Sequence, residues 1–424
     1  MQSTLSSRTS EPRHFMRGKL REHVSGSTIA ATIAGYWART VDPDRRWRAC
    51  GMTILLSLMG CSSRASDAAT SPVDTVNTAA ALDGKLRVPT GFKVAYFAEN
   101  LSDVRFMAVS PEGTVYASET ARGRVVRLAD ANHDGKADGV VYAVTGLNQP
   151  HGLAFHKGFL YVANTDGVVR VPLGVNGVAS GAPVYVNHFS GGGGHFTRTI
   201  VFGADSAMYV SIGSTCNLCV EQTPERAAVL KFNEDGLGKR VYAMGLRNAV
   251  GLAVHPETGA LWASQNERDN LSPNHENLPP EEINIVTDGA DYGWPYCYGN
   301  RVPNPEYNDA ARCANTVAPA LDLQAHSAPL GMSFLAKATT FPDDYRGDLL
   351  VAYHGSWNRD TPTGAKVVRV RVAGGKPVSV EDFITGWQQS NGDRWGRPVD
   401  VLVAADGSVL ISDDASGAIY RVTH

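Results

Sequence analysis

From Phe92 onward the chain repeats one pattern of apolar and polar positions. A short run of buried-type residues leads to a tight turn built on Gly, Asp or Pro, and a second run of aromatic and β-branched residues follows. That pattern predicts paired strands, not helices. The copies read FMAVSPEGTVYASE at 106–119, HGLAFHKGFLYVANTD at 151–166, TRTIVFGADSAMYVSIGS at 197–214 and VGLAVHPETGALWASQNE at 250–267. A looser fifth copy combines PLGMSF at 329–334 with GDLLVAYHGS at 347–356, and the sixth is PVDVLVAADGSVLISDD at 398–414. Equivalent positions Tyr116, Tyr161, Tyr209, Trp262, Leu350 and Leu410 lie 45, 48, 53, 88 and 60 residues apart. A period of that size suits a four-stranded propeller blade, so the expected fold is an all-β, six-bladed β-propeller, with seven blades the alternative. The long gap holds a Pro- and Asn-rich insertion between blades, from about Glu267 to Pro329, of the kind that sits at a functional mouth.

The 43 glycines exceed the roughly 30 expected of an average chain this long, which agrees with many tight turns. Net charge is −3 with no basic run, so no nucleic-acid footprint is present. No apolar stretch reaches the roughly 18 to 20 residues of a membrane-spanning helix.

The N-terminal 60 residues read differently. Arg45, Arg46 and Arg48 precede an apolar run from Met52 to Gly60 that ends at Cys61, and a polar stretch follows. A basic segment, a short apolar core and small residues make an export signal. The ending Leu58-Met59-Gly60-Cys61 resembles a bacterial lipobox, in which Cys61 carries the lipid. An ordinary cleaved signal, or a start codon placed too early, is the alternative. The expected organisation is a targeting segment at 1–60, a tether at 61–84 and a propeller at 85–424. The expected location is the periplasm or the outer membrane, with the membrane reached only through a lipid anchor.

Export bears on the cysteines. Setting aside Cys50 and Cys61 leaves Cys216, Cys219, Cys297 and Cys313. In an oxidising compartment the economical pairing is Cys216–Cys219 and Cys297–Cys313. A zinc site on the same sulfurs is the alternative, disfavoured by the separation of the pairs and by export. Val220 follows Cys219, so there is no CxxCH haem motif and electrons must leave through an external acceptor.

In a propeller, polar residues beside the axial strands face a common mouth. The copies place Arg105, His151, His195, Arg198, Arg247, Asn248, His326, Arg397 and Asp400 there. Cationic and imidazole groups gathered at one mouth repel one another unless an anion is bound, which points to a small polyanionic ligand.

The phrases GGGGHFTRTIVF at 191–202, GLRNAVGLAV at 245–254, EEINIVTDGADYGWP at 281–295, HGSWNR at 354–359 and WGRPVDVLVAADGSVLISDDASGAIYRV at 395–422 resemble the soluble PQQ-dependent sugar dehydrogenases. They are closest to the L-sorbosone and pyranose dehydrogenase branch. The resemblance implies a six-bladed propeller holding pyrroloquinoline quinone (PQQ) and Ca²⁺. The sugar would be oxidised at its anomeric or aldehyde carbon, with hydride passing to the quinone and a proton to a histidine. It implies that His195 is the base, that Arg247 and Asn248 contact the quinone and the substrate oxygen, and that Arg397 binds a cofactor carboxylate. Arg198 and Trp357 join the implied cofactor contacts. The family's second carboxylate-binding arginine falls on Val399, leaving Arg359 or Lys366 to supply that charge. The cofactor calcium would take the main-chain carbonyls of Glu267 and Arg268, where the family has Gly-Pro. A second calcium candidate comes from the residues themselves. Asp130, Asn132, Asp134 and Asp138 alternate around Gly135 in an oxygen-rich loop, for which a plain polar turn is the competing reading. Two other classes fit a propeller: a calcium-dependent lactonase or other hydrolase, and a non-catalytic NHL-like binding module. The cationic mouth favours the sugar dehydrogenase.

Overall fold

The computed structural model describes residues 78–424, Ser190 excepted. Six four-stranded antiparallel sheets make up the framework of the described residues. Their innermost strands are Val104–Val109, Leu153–His156, Arg198–Phe202, Ala249–Val254, Pro329–Phe334 and Pro398–Val403, and each neighbours the next around a ring that closes from sixth to first. The six-bladed propeller expected from the repeats is therefore present. Closure uses the start of the domain: Lys93–Ala98 pairs antiparallel with Ala418–Thr423 and becomes the outer strand of the last blade. That join removes a free sheet edge, the weak point of an open array.

The recurring position in the sequence has a packing cause. Tyr116, Tyr161, Tyr209, Trp262, Leu350 and Leu410 all lie in the second strand of their blade, and each is buried in the layer shared with the following blade. The core is thus six inter-blade layers. A small seventh group, Phe106, Val250, Leu330 and Val399, comes from four inner strands and fills the axis.

The insertion expected between blades falls inside the fourth sheet. Glu281–Val286 is that blade's third strand and Leu321–Leu323 its outer strand, so the extra chain forms two excursions, 267–280 and 287–320. Both expected disulfides, Cys216–Cys219 and Cys297–Cys313, are formed. Among the described residues no helix is long and apolar enough to cross a membrane. Cys61, the export signal and most of the tether lie outside the described residues.

Candidate active site at the mouth of the propeller

Strand register gathers the candidates at one end of the ring. The start of each inner strand pairs with the end of the second strand: Val104 with Glu119, Arg198 with Ile212, Ala249 with Gln265, Pro329 with Tyr353 and Pro398 with Asp413. Residues just before an inner strand and just after a second strand therefore share one mouth. Serine hydroxyls stitch neighbouring blades together there. Ser118 donates to the His151 carbonyl (2.8 Å), Ser264 to Leu330 (2.6 Å) and Ser412 to Arg105 (2.6 Å).

His195 ends the Gly-rich loop 191–194, in which Gly192 and Gly193 take positive φ. Its Nδ1 lies 3.0 Å from the Ser214 carbonyl, which can only accept, so Nδ1 carries the proton. Ser214 Oγ, 2.9 Å away, donates its own proton to the Cys216 carbonyl at 2.6 Å. The other ring nitrogen, Nε2, is left with a lone pair. Burial, then the nearby charge of Arg247, holds the imidazole down at about 4, against a smaller opposing effect of its Ser214 hydrogen bond. At neutral pH it is an uncharged base.

Arg247 is 4% exposed. Its Nε donates to the Asn217 carbonyl (3.0 Å) and Nη2 to Asn217 Oδ1 (2.9 Å), while Nη1 reaches the carbonyls of Asn266 (3.1 Å) and Glu267 (2.7 Å). Asp269 is the counter-ion at 3.6 Å. The guanidinium is thus fastened to protein acceptors on three of its nitrogens, with its charge close to the imidazole. Its neighbour Asn248 reaches Asn266 Oδ1 at 3.4 Å and, with His195, crowds Gly213: a Cβ there would come within 2.5 Å of Asn248 Oδ1 and 2.6 Å of His195 Cβ.

Free donors lie elsewhere on the belt. Arg198 is fully buried; Nη1 donates to the carbonyls of His195 and Thr197 at 2.8 Å, and among the described residues Nε and Nη2 have no partner. Burial and the charge of Arg226 lower it to about 9. Arg105 pairs with Asp414 at 2.5 Å and leaves Nε unpartnered. Arg397 spends Nε on the His354 carbonyl (3.0 Å) and Nη2 on that of Gly355 (3.2 Å).

Sequence reasoning missed Asp414 and His354, each of which directly follows a second strand. His354 Nε2 donates to Asp414 at 2.9 Å. Burial alone would raise the Asp414 carboxyl, but His354 and Arg105 outweigh it and hold it at about 2. Burial keeps His354 near 4 despite that carboxylate. The mouth is therefore lined by a continuous belt from Arg397, His354, Asp414 and Arg105 through His151 and Arg198 to His195 and Arg247, in which cations outnumber the single carboxylate of Asp414. Asp269 then links Arg247 to Asn358 (2.8 Å) and His326 (3.8 Å).

Other candidates leave the site. Lys366 begins the third strand of its blade, away from the axis, and pairs with Asp382 at 2.6 Å. Arg359 spends its donors on the carbonyls of Glu276 (2.5 Å), Ala325 (3.2 Å) and Thr361 (3.1 Å), so it fastens two mouth loops together. Trp357 stands 74% exposed on the adjoining loop. In the 130–138 loop, Asp130 accepts from the amides of Asp134 (3.0 Å) and Gly135 (2.9 Å), Asn132 and Asp134 take up amides of the same turn, and Asp138 accepts from Ala131 (2.8 Å). Among the described residues these carboxylates do not gather into a metal-holding group; each is taken up by amides of its own turn.

The donor sets fit the implied groups. Unpartnered buried guanidinium nitrogens on Arg198 and Arg105 suit carboxylates. Beside the 267–268 carbonyls lie three buried carboxyls. Burial raises Glu267 and Glu282, and lifts Glu281 to about 8 against hydrogen bonds from the Glu267 and Ala328 amides. Gln265 Oε1 and Asn284 Oδ1 are unpartnered nearby. Oxygen of this kind is what Ca²⁺ takes, although among the described residues these carboxyls, like those of the 130–138 loop, do not converge into a metal-holding group, and the Glu267 carbonyl already accepts from Arg247.

Fold and mouth together define a closed six-bladed propeller with an anion-receptive cationic belt and a neutral imidazole base. The chain belongs to the TrAA12-like family, whose model matches residues 86–424. It is 28% identical over 357 residues to an uncharacterized protein of Borreliella burgdorferi, covering 80% of this chain and 90% of that one. It is 27% identical over 409 residues to the pyrroloquinoline quinone-dependent pyranose dehydrogenase of Coprinopsis cinerea, covering 80% of this chain and 54% of that enzyme, about half its length. Among solved structures, the Trichoderma reesei enzyme of carbohydrate-active family AA12 superposes with a TM-score of 0.71 at 21% identity, covering 79% of this chain and 96% of that one.

Proposed function

We propose that the protein is an exported oxidoreductase that oxidises a sugar or sugar-derived aldehyde, an aldose, L-sorbosone or other pyranose, at its anomeric or aldehyde carbon, with PQQ and Ca²⁺ as cofactors. The observation that carries this reading is the pairing of His195, neutral with Nε2 free, with the buried Arg198 guanidinium whose Nε and Nη2 lack partners. The named activity of the Coprinopsis relative supports it.

Arg198 and Arg105 would hold cofactor carboxylates, and the carbonyls of Glu267 and Arg268 would hold calcium beside the Glu267 and Glu281 carboxyls. Bound there, the quinone supplies a two-electron acceptor for the substrate's hydride, and calcium sharpens its electrophilicity. The chain's own part is proton management. His195 Nε2 accepts the proton of the substrate hydroxyl as its carbon gives up hydride, and Ser214 keeps the opposite nitrogen protonated so that the lone pair stays on Nε2. Burial and then the Arg247 charge keep the imidazole uncharged before the reaction, and Asn248 would orient the substrate oxygen. An external acceptor, still to be identified, would then take the electrons. A lactonase would need an axial calcium held by carboxylates and asparagines, where this mouth offers guanidinium and imidazole groups.

The test is reconstitution of apo-protein with PQQ and Ca²⁺, followed by dye-linked oxidation across aldoses and osones. His195→Ala should keep cofactor binding, read by absorbance, and lose turnover. Wild-type rates in that variant, or no oxidation by the reconstituted wild type, would overturn the reading.

A further inference from the structure

The connection 213–227, between the second and third strands of the third blade, fastens both sides of the proposed site. Arg226 Nη2 donates to the carbonyls of Gly191 (3.1 Å) and Gly192 (2.5 Å), anchoring the loop that carries His195. Ser214 holds His195 Nδ1 and passes its own proton to the carbonyl of Cys216. Asn217 then lies between the two bonded cysteines. Its Oδ1 accepts from Arg247 Nη2 (2.9 Å) and the Asp269 amide (2.8 Å), its carbonyl from Arg247 Nε (3.0 Å) and Trp294 Nε1 (3.3 Å), and its Nδ2 donates to the Asp269 carbonyl (3.0 Å). A four-residue segment thus touches the base on one side, through Cys216 and Ser214, and the buried guanidinium on the other, through Asn217. Holding two adjacent residues in directions that serve both partners is entropically demanding for an open turn. A covalent ring limits the alternatives.

We propose that the Cys216–Cys219 ring is a clamp, with Asn217 as its positioning residue, that sets the Arg247 guanidinium against His195, so that opening the disulfide slackens the site while the propeller stays folded. The inference rests on the reading of His195 as the base. Both cysteines are partly exposed, so a dithiol can reach them. In that exchange the reductant gives two electrons and two protons, both sulfurs become thiols, and the reductant closes its own disulfide. The other bridge, Cys297–Cys313, lies in the 287–320 excursion, and neither cysteine bonds to Ser214, Asn217 or Arg247.

The experiment has two arms. In apo-protein at pH 7, the nitrogen-15 imidazole spectrum, assigned through His195→Ala, should show His195 in the single Nδ1-protonated form. Cys216→Ser/Cys219→Ser, Asn217→Leu, and wild type treated with dithiothreitol should show a tautomer average, while Cys297→Ser/Cys313→Ser should match wild type. In reconstituted enzyme, Asn217→Leu and the 216/219 double variant should lose roughly 10- to 100-fold in kcat, as misplacement of a reacting group does. KM should stay within about twofold. Asn217→Asp, which keeps an acceptor for Arg247 and the Asp269 amide, should fall about tenfold less than Asn217→Leu. If the variants lower only the thermal midpoint and leave spectrum and kcat at wild type, the clamp is refuted. Should no sugar be oxidised by any preparation, the proposed activity fails, and the imidazole arm still decides the clamp by itself.

Discussion

Burial and a guanidinium together keep His195 uncharged, and the two causes can be separated. Its imidazole is held at about 4 where a free histidine titrates near 6.5. At about 1.36 kcal/mol per pH unit, placing a proton on it costs roughly 3 kcal/mol more than in an open chain. Burial is the larger cause and the Arg247 charge the second, so Arg247→Gln should raise the titration midpoint yet leave it below 6.5. The assay is a carbon-13 or nitrogen-15 histidine titration of apo-protein. Linkage gives an independent check. Between about pH 4 and 6.5 the unfolded chain binds a proton at this position that the folded chain refuses, so this group's contribution to stability rises with pH across that window and is complete above it. The difference in urea stability between wild type and His195→Gln should follow that slope. A bound tricarboxylate would place negative charge close by and pull the midpoint upward towards the pH at which a histidine base works best. A wild-type midpoint at 6.5 refutes the electrostatic account, and so does an Arg247→Gln midpoint that does not move.

Two further perturbations address the mouth. Gly213→Ala adds a methyl group that would stand within 2.6 Å of Asn248 Oδ1 and His195 Cβ, so the His195 backbone must shift: stability should fall by about 1–3 kcal/mol, as overpacking does, and turnover about tenfold or more; unchanged kcat would show that the shift spares the site. Asp414→Asn leaves the largely buried Arg105 guanidinium without its counter-charge and should cost roughly 3 kcal/mol in urea unfolding. Because the Asp414 carboxyl is held at about 2 in the fold against an ordinary 3.8, the gap between wild type and variant should be full above about pH 4 and close as pH falls through 2. A gap that persists at pH 2 would mean the ion pair is not its source.

The blades were legible because one packing problem is solved six times: the large side chain in the second strand must always fill the layer beneath the next blade, and selection for that layer writes a period into the chain. The fourth blade was harder to read, since Glu281–Val286 and Leu321–Leu323 are separated from their partners by loops longer than the strands themselves. Closure by Lys93–Ala98 left no local signal either, because its partner lies more than 300 residues away. At the mouth, residues at or just before an inner strand, such as Arg198, His195 and Arg247, could be placed from repeat position alone. What repeat position could not supply was the company each guanidinium keeps. Arg359 and Lys366 carry the charge expected of a carboxylate ligand, yet Glu276 and Asp382 claim them through loop geometry. Arg247 is fastened by Asn217, a residue with no chemistry of its own to attract notice. The signal that would have exposed Asp414 and His354 is positional: both sit one residue beyond a second strand, where the register turns every blade's chain into the same mouth. A charged or imidazole group at that place is held in the fold by neighbours from other blades, so its role depends on which partner the ring brings to it, and only the assembled propeller fixes that choice.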